Sequence, residues 1–484
     1  MTKSISKFKK QILEAKRVGI SMEAKLVGTP KMDGQKVYIK TFGCTANISD
    51  SEVMAGLLHD AGYRIIDSPE SADIIITNVC TVKGEEKALR ELHALRAIEK
   101  NNAIRIVIAG CVTSELRNYI AEIIPAAVIV DTQNVSRIVE LLEKRSITEI
   151  SGIINSKKIP KIGYPKIRKR NLVAIVPILS GCVGECSYCS VRMIKGKLYS
   201  YPEELILKEV RNAIDFGCKE IWITSQDNAC YGLDMQSVPT EIKNNNLATL
   251  LEKICQIKGD FMVRVGMMNP EGTATISDDL IKVYENYPKM FQFAHIPVQA
   301  GSNRILTLMK RKYTCAEFVR LVQKFRKKLP DMTLSTDIIC GFPTETESDF
   351  QKTLDLLKKT RPDIVNISRF QPRKGTLAAD MHYDKYDKSY KRISTNEMKR
   401  RSKLLTELAG SIALENNKRW IGWKGRVLID EKGKEGTSTV MGRNFAYKPI
   451  VLPCNNTKCD KLIGSFETIK ICEVKPCYLI GKQV

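Results

Sequence analysis

Short apolar runs alternate with amphipathic stretches along the first third of the chain. The runs KVYIKTFG, DIIITNV, RIVIAG and AAVIVD are separated by segments with helical spacing, such as DSEVMAGLLHDAG and KGEEKALRELHALRAIEK. Apolar runs of about four to eight residues between helices are typical of parallel strands that are buried on both faces. The pattern therefore predicts a doubly wound parallel sheet of the flavodoxin-like kind over residues 35–150.

A second series of strand and helix patterns follows, and the chain ends in a region of strands and turns. Six strand candidates, from LVAIVPILSG to IVNISRFQP, precede residue 376. Six units are too few for a closed eight-stranded barrel, so residues 171–418 are predicted to form a partial (β/α)6 barrel with a trailing helical segment. Residues 419–484 alternate apolar and polar positions between glycine-containing turns, which predicts a small antiparallel β-barrel. The fold class is α/β multidomain.

Two segments are basic and lack an apolar face. Residues 1–34 carry eight Lys or Arg against three acids and are predicted to be a basic extension. Residues 151–170 include KKIPKIGYPKIRKR, which has seven basic residues, two prolines and no acid. Such a composition cannot build a core, so this segment is predicted to be an exposed linker.

Charge and cysteine content narrow the functional class. The chain has 77 Lys and Arg against 54 Asp and Glu, a net charge of +23, which favours a polyanionic partner. Fifteen cysteines without an apolar export signal favour metal or redox chemistry over disulfides, and four histidines argue against Ser-His-Asp or His-rich zinc catalysis. No apolar stretch is long enough to span a membrane. We expect a cytoplasmic protein without a membrane partner.

The strongest chemical signal is the C-x3-C-x2-C set of Cys182, Cys186 and Cys189, which follows the first strand of the predicted barrel. Three thiolates can bind three irons of one [4Fe–4S] cluster and leave the fourth iron open to a small molecule. A structural zinc site is the alternative, but it requires a fourth ligand.

A second set of three cysteines lies in the predicted N-terminal sheet. Cys44, Cys80 and Cys111 each follow one of its apolar runs. Because the carboxyl ends of parallel strands share one edge of a sheet, these residues can converge on one point. Three separately packed cysteines remain the alternative, since Cys also packs as a small apolar residue.

The residues around both sets resemble the radical S-adenosylmethionine (SAM) methylthiotransferases. The sequence from Cys182 to Cys189, continued by SVR and KG, is similar to the family's central motif, and GCTANISDSE, NVCTVK and AGCVTS are similar to its three N-terminal signatures. The resemblance implies a radical-generating [4Fe–4S] cluster on the first set, where SAM binds, and an auxiliary [4Fe–4S] cluster on the second. The family commonly has Gln-Met where this chain has Thr45-Ala46. Residues matching the signatures and expected to support the cluster loops are Asn47, Ser51, Asn78 and Lys83.

Polar motifs follow the other predicted barrel strands, at residues 224–227, 295–302, 337–345 and 369–376. The resemblance implies cofactor and substrate contacts at these positions. The candidate cofactor-binding residues are Tyr188, Gln226, Asp227, Asp337 and Gly341. A packed aromatic or a strand-to-helix turn is the alternative for each, and a hydrogen-bonded structural role is favoured for His295.

The first two signatures are similar to the archaeal–eukaryotic branch, which acts on N6-threonylcarbamoyladenosine at position 37 of tRNA. Isopentenyladenosine-37 and a ribosomal-protein aspartate are the alternatives within the family, and a non-enzymatic iron–sulfur RNA-binding protein is the alternative from another class. The implied partners are the tRNA anticodon stem-loop, a reductant and a sulfur donor. A threonylcarbamoyl carboxylate requires a cationic contact, for which Arg264, Arg369 and Arg373 are candidates.

The last domain resembles the TRAM module of RNA-modifying enzymes. Phe445 and Tyr447 are candidates for RNA stacking, although core packing is the favoured use of each. A C-x4-C pair that occurs twice, at Cys454, Cys459, Cys472 and Cys477, raises the alternative of a zinc site. Packing is the expected role of Cys218, Cys230, Cys255, Cys315 and Cys340.

Overall fold

The computed structural model describes residues 34–81, 85–101, 104–143, 159–235, 245–383, 390–454 and 456–484. The predicted basic extension therefore lies outside the described residues except for its last position. The first part of the predicted linker and Lys83 also lie outside them.

The N-terminal domain is a five-stranded, wholly parallel sheet with strand order β2-β1-β3-β4-β5. Side chains of β3 alternate between two apolar clusters, with Ile74 and Ile76 on one face and Ile75 and Val79 on the other. Helices cover both faces, which confirms the predicted doubly wound domain. Its elements are β1 (Lys36–Thr41), α1 (Thr45–Asp60), β2 (Arg64–Ile66), β3 (Ile74–Cys80), α2 (Glu85–Asn101), β4 (Arg105–Cys111), α3 (Ser114–Ile123), β5 (Val128–Asp131) and α4 (Ile138–Glu143).

The second domain is a partial barrel of six parallel strands. Strands β6, β9 and β10 form one half and β11, β12 and β13 the other, and a parallel bridge between Val263 and Met290 joins the halves. Its strands are β6 (Val173–Pro177), β9 (Glu220–Thr224), β10 (Met262–Val265), β11 (Phe293–His295), β12 (Thr333–Cys340) and β13 (Ile364–Arg369), and β7 (Leu179–Ser180) pairs with β8 (Tyr199–Ser200).

Helices cover the outside of this barrel because every second strand residue is apolar and faces them. Ile221 and Ile223 of β9 and Val263 and Val265 of β10 belong to the shared apolar core. The helices are α5 (Val191–Lys195), α6 (Glu203–Asp215), α7 (Leu247–Gln256), α8 (Pro270–Thr275), α9 (Ser277–Asn286), α10 (Asn303–Leu308), α11 (Cys315–Lys328), α12 (Glu347–Thr360), α13 (Leu377–His382) and α14 (Thr395–Lys418). The predicted partial barrel is confirmed.

The C-terminal domain is a closed five-stranded barrel with order β14-β15-β16-β18-β17. All of its pairs are antiparallel except β16 with β18, which is parallel. Its elements are β14 (Lys424–Lys432), β15 (Thr439–Arg443), β16 (Pro449–Pro453), α15 (Asn456–Leu462), β17 (Phe466–Val474) and β18 (Leu479–Gln483).

Aromatic packing joins the C-terminal barrel to the partial barrel. The Tyr447 ring lies 4.8 Å from the ring of Phe291, between centroids, and also contacts Phe293 and Arg264. Phe445 packs against Trp420 and a second tryptophan of its own domain. Both candidate stacking residues are therefore used in packing, as the favoured interpretation expected.

The four C-terminal cysteines do not form a metal site. Cys454 and Cys459 are joined in a disulfide, whereas Cys472 and Cys477 are exposed. Among the described residues, no three His, Cys, Asp or Glu side chains are placed to hold a metal ion. The zinc alternative is wrong for these residues, and Cys454 and Cys459 depart from the expectation that favoured metal or redox chemistry over disulfides.

The described part of the predicted linker, residues 159–170, is packed between the first two domains over part of its length rather than being wholly exposed. We call it the strap. The ammonium group of Lys161 lies 2.6 Å from the Asp50 carboxylate of α1, and that of Lys166 lies 2.6 Å from the Glu209 carboxylate of α6. The absence of a side chain at Gly56 of α1 is essential here, because a Cβ atom would come 2.2 Å from the Pro165 carbonyl oxygen. Acids from both domains thus draw a basic segment into the interior.

Two basic residues near the start of α14 are also neutralised by acids. Arg400 and Arg401 form ion pairs with Glu397 and Glu347, and Arg401 also pairs with the buried Glu345. These two arginines therefore contribute less to a polyanion-binding surface than the sequence indicated.

We expect Lys161→Met to destabilise the folded protein by about 3–5 kcal/mol, because it leaves the Asp50 charge buried without a partner. Urea unfolding followed by circular dichroism measures this as a lower midpoint. Lys169→Met, which removes an exposed lysine of the strap, is the matched control and should leave the midpoint nearly unchanged. Combining Lys161→Met with Asp50→Leu should recover much of the loss, and no recovery would contradict this explanation.

Candidate active site

The first cysteine set lies on a loop at the carboxyl end of the barrel strands. The loop begins after β7, where the Gly181 N–H donates to Gln226 Oε1 at 3.0 Å and the Cys182 N–H donates to the Gly196 carbonyl at 3.2 Å. The Cys189 N–H closes a turn onto the Cys186 carbonyl. The backbone thus holds the three thiols together at the barrel mouth.

Arg311 is a site residue that the sequence did not reveal. Its guanidinium donates to Cys186 Sγ at 3.2 Å, to Asn269 Oδ1 at 2.5 Å and to the Tyr313 hydroxyl at 2.9 Å. In the sequence it stands in the run MKRKYT, where it resembles ordinary surface charge. Only the fold shows that this arginine faces the cysteine loop.

The thiols of Cys182 and Cys189 are protonated at neutral pH when no metal is bound. Burial raises the pKa of Cys182 to about 11. Burial also raises the pKa of Cys189, although Arg373 and Arg311 partly oppose the shift. Metal binding must displace these protons, so uptake is favoured as the pH rises.

Two of the predicted cofactor-binding residues, Gln226 and Asp227, lie beside the cysteine loop. Gln226 binds the Gly181 N–H, as described above. The Asp227 carboxylate is buried and accepts from the backbone N–H groups of Asn269 and Ala229 and from the Cys230 thiol. Gln226 therefore orients the backbone of the cysteine loop, whereas Asp227 holds the neighbouring segments at Ala229 and Asn269 and acts on the Cys182 thiol through its charge.

The other predicted contacts differ in position. Tyr188 is buried in the cysteine loop, and its carbonyl accepts from Arg373 at 2.9 Å. Asp337 accepts from His295 Nε2 and Asn366 Nδ2, each at 2.8 Å, which gives His295 the structural role favoured from sequence.

Gly341 is not gathered with these groups. Its N–H donates to the Glu345 carboxylate, and the residue lies against Met398 of α14.

The second cysteine set lies at the carboxyl edge of the N-terminal sheet. Cys80 and Cys111 end β3 and β4 as directly paired residues, and Cys44 precedes α1. A Cβ atom built on Gly43 would come 2.8 Å from Cys80 Cβ, so the Cys44 loop passes directly against Cys80. The convergence expected from strand topology is present.

Buried amides and hydroxyls hold this second set in place. Asn47 Oδ1 accepts from the Cys44 thiol at 3.3 Å, while Asn47 Nδ2 donates to Asn78 Oδ1 at 2.9 Å. Asn78 Nδ2 donates to the Ser51 hydroxyl, which in turn accepts from Thr41. The supporting role expected for Asn47, Ser51 and Asn78 agrees with these contacts.

Each set fits a polynuclear cluster better than a single metal ion. In a [4Fe–4S] cluster every cysteine binds a different iron, so three sulfurs need not converge on one point. A single ion requires such convergence, which the described residues do not provide. Three thiols without a fourth protein ligand at each edge match a cluster with one open iron.

The two sets lie on opposite sides of the interface between the first two domains. The hydroxyl of Thr45, next to Cys44, lies 3.0 Å from that of Thr224, which ends β9. Gln133 Nε2 donates across the same interface to the carbonyl of Lys195 at 3.1 Å. Side chains therefore link the two domains next to Cys44 and at the helix that follows the cysteine loop of the barrel.

Comparison with known proteins identifies the family. A family model described as Radical SAM superfamily matches residues 176–357, and one described as Uncharacterized protein family UPF0004 matches residues 36–131. A relative from Pyrococcus horikoshii, named probable threonylcarbamoyladenosine tRNA methylthiotransferase, is 37% identical over 93% of this chain and 99% of its own. The chain belongs to the radical-SAM tRNA methylthiotransferase family.

Relatives whose names give different substrates have similar sequence identity to this chain. A Drosophila melanogaster relative named threonylcarbamoyladenosine tRNA methylthiotransferase is 34% identical, covering 93% of this chain and 77% of its own. A Thermotoga petrophila methylthiotransferase named tRNA-2-methylthio-N(6)-dimethylallyladenosine synthase is 35% identical, covering 93% and 97%. Overall identity therefore does not separate the two substrates within the family.

A solved structure supports the fold. The radical S-adenosylmethionine methyltransferase TsrM from Kitasatospora setae matches with a TM-score of 0.53 and 13% identity, over 73% of this chain and 78% of that chain. At this identity the likeness concerns the fold alone. In this methylthiotransferase, none of the described helices is long and apolar enough to cross a membrane.

We expect Asn78→Leu to release the Cys44 loop of this methylthiotransferase, because it removes the amide that links Asn47 to Ser51 and leaves buried groups unpaired, at about 1–3 kcal/mol each. Alkylation of the metal-free protein, quantified by peptide mass spectrometry, should become several-fold faster at Cys44. Cys315, which is partly buried elsewhere, is the internal control. Equal acceleration at both thiols would indicate general unfolding instead.

Proposed function

We propose that this chain converts N6-threonylcarbamoyladenosine at position 37 of tRNA into its 2-methylthio derivative. The observation that carries the proposal is the placement of two three-cysteine sets on either side of one interface, tied by Thr45 and Thr224. The set on the barrel suits radical generation, and the set on the N-terminal sheet suits delivery of sulfur at the same interface. The relatives named for this reaction match nearly the whole chain.

Each cysteine set has its own role in the proposal. Cys182, Cys186 and Cys189 hold the radical-generating cluster, and Cys44, Cys80 and Cys111 hold the auxiliary cluster. When bound, the first cluster and SAM supply a radical able to attack an aromatic C–H bond, which offers neither an acidic proton nor a leaving group. Two cofactor sites in one chain agree with the need for both sulfur insertion and methylation.

Residues around the first set orient the cofactor and keep water out. Arg311 places a positive charge beside Cys186, where it can bind an anionic group of SAM. Gln226 keeps the loop backbone in position, Asp227 holds the adjacent segment at Asn269, and the buried Tyr188 closes the site from the core side. A site shielded in this way protects a reactive species from quenching.

The three arginines considered as partners of the substrate carboxylate are now distinguished. Arg264 lies among Trp222, Phe293 and Tyr447, where the C-terminal barrel docks. Arg369 is paired in register with the buried Cys340 and so faces the outer helix layer with it.

Arg373 lies at the cysteine loop, where it binds the Tyr188 carbonyl. We therefore assign recognition of the threonylcarbamoyl carboxylate to Arg373.

Binding of the tRNA rests on phosphate contacts in this proposal. A net charge of +23 supplies a general attraction for nucleic acid, although parts of the strap and of α14 are neutralised by acids. The small C-terminal barrel, similar to the TRAM module, presents its remaining basic residues to RNA. A reductant and a sulfur donor complete the reaction and come from other molecules.

We expect anaerobic reconstitution to yield about eight irons per chain, because each cysteine set binds one four-iron cluster. Replacing Cys182, Cys186 and Cys189 with Ala should leave about four irons and abolish SAM cleavage. Replacing Cys44, Cys80 and Cys111 should also leave about four irons but retain SAM cleavage. Iron analysis and 5′-deoxyadenosine release measure both outcomes.

The control for this experiment replaces three cysteines that lie outside both sets. Among the described residues, neither loop forms a hydrogen bond with the Cys218, Cys255 or Cys315 thiol, so their triple Ala variant should keep about eight irons. If the N-terminal triple variant also kept all its iron, the auxiliary cluster would be absent.

We expect the enzyme to methylthiolate tRNA carrying threonylcarbamoyladenosine in preference to tRNA carrying isopentenyladenosine. Arg373→Met should lower kcat/KM for the first substrate by roughly tenfold or more relative to the second, since one charge-assisted hydrogen bond contributes about 1.5–3 kcal/mol. Mass spectrometry of digested nucleosides measures both rates.

The ratio of the two rates separates recognition from structural damage. Damage to the Tyr188 loop would lower both rates equally and leave the ratio unchanged. Arg369→Met, in the same segment, is the matched control and should also leave the ratio unchanged. A parent enzyme that preferred the isopentenyl substrate would overturn the substrate assignment but not the methylthiotransferase class.

A further inference from the structure

Lys195 is a buried cation without an acidic partner. Three lysines of the described residues are buried as whole residues, namely Lys161, Lys195 and Lys448. Lys161 pairs with Asp50, and Lys448 pairs with Asp363 at 2.8 Å. For Lys195, which is 4% exposed, the described part of the chain offers its ammonium group neither a hydrogen bond nor an ion pair.

The position of Lys195 brings it to the second cysteine set. It is the last residue of α5, the helix that follows Cys189, and its carbonyl is bound by Gln133 of the N-terminal domain. Asp131, two residues before Gln133, is paired in register with Gly110, which precedes Cys111, so this contact lies at the cysteine edge of the sheet. The Lys195 charge accordingly opposes the rise in the pKa of the Cys111 thiol. Lys195 is therefore part of the barrel domain in sequence, but in the folded protein it lies at the cysteine edge of the N-terminal sheet.

The acid that acts on Cys111 together with Lys195 is already paired with another lysine. Asp50 also acts electrostatically on Cys111, but Lys161 binds both of its carboxylate oxygens, at 2.6 and 2.8 Å. A buried ammonium group is costly unless an opposite charge lies nearby. An iron–sulfur cluster held by three thiolates would place negative charge at this position.

We propose that Lys195 is a positioning residue for the auxiliary cluster, whose negative charge it compensates and whose reduction potential it raises. The inference rests on the proposed function, since it presupposes a cluster on Cys44, Cys80 and Cys111. Net charge and hydrogen bonds around a cluster set its potential, and a nearby cation favours the more negative, reduced form. Because the barrel supplies this cation, the auxiliary cluster has its working potential only while the two domains are docked.

The test uses the full-length chain in which Cys182, Cys186 and Cys189 are replaced with Ala, so that the auxiliary cluster is the sole source of the signal. Its reduction potential is measured by redox titration followed by electron paramagnetic resonance. Lys195→Met should shift the potential to a more negative value, and Lys195→Arg should restore most of the difference. Lys197→Met, an exposed lysine of the same segment, is the matched control and should leave the potential unchanged.

The melting temperature of the metal-free protein distinguishes this role from a purely structural one. Without a cluster the Lys195 charge is uncompensated, so Lys195→Met should leave the melting temperature unchanged or raise it. A residue needed only for packing would lower it. Reduced iron uptake by Lys195→Met, with normal uptake by Lys195→Arg and no loss of metal-free stability, would also support the proposal.

The remaining outcomes separate this inference from the proposed function. Absence of iron in the parent triple variant would refute the auxiliary cluster itself. Normal iron content with the same potential in parent and Lys195→Met would refute the role of Lys195 and leave the auxiliary cluster standing.

Discussion

Buried ion pairs between the strap and the two domains hold the structure in its working arrangement. Lys161 meets Asp50 on one side and Lys166 meets Glu209 on the other, with all four side chains at most 9% exposed. Neither pair can separate without leaving a charge in a dry environment, which is far more costly than the loss of an exposed ion pair. Because these pairs lock α1 against the barrel, they also fix the cysteine edge of the N-terminal sheet opposite the cysteine loop of the barrel.

The two acids next to Lys166 show that burial and nearby cations have opposite effects on the pKa of a carboxyl group at this interface. Burial alone would raise the pKa of Glu209, but the charge and hydrogen bond of Lys166, the Gly163 N–H and the Arg168 charge together outweigh burial, and the pKa is lowered. This pair therefore stabilises the folded state near neutral pH, and the contribution is lost as the pH falls through the folded-state pKa. For Glu52, burial outweighs the nearby Lys166 and Arg168, so its pKa is raised.

The interface between the C-terminal barrel and the partial barrel differs from the strap in its contacts. Burial raises the pKa values of both Glu220 and Asp430, and the two carboxyl groups lie close enough to repel each other. Both Asp430 carboxyl oxygens lack a hydrogen-bond partner within the described residues, and Arg443 lies near them at ion-pair distance. Tyr447 and its aromatic contacts supply apolar attraction at this interface, and the buried Lys448–Asp363 ion pair spans it at 2.8 Å. The third domain is therefore attached by aromatic packing as well as by buried charge, whereas ion pairs of the strap join the first two.

The sequence by itself determined the strand and helix order, the three domains, both cysteine sets and the family, because periodicity, local spacing and contiguous motifs are properties of short segments. Only the tertiary structure decided that the strap is buried, that Arg311 faces Cys186 and that Lys195 lies beside the other domain's cysteines. It also separated Arg373 from the two arginines that lie elsewhere and paired Cys454 with Cys459. The physical reason is that the environment of a charge or a thiol is set by partners distant in sequence, such as Asp50 for Lys161. A basic segment has the same composition whether it is solvated or buried against acids, so only packing distinguishes the two.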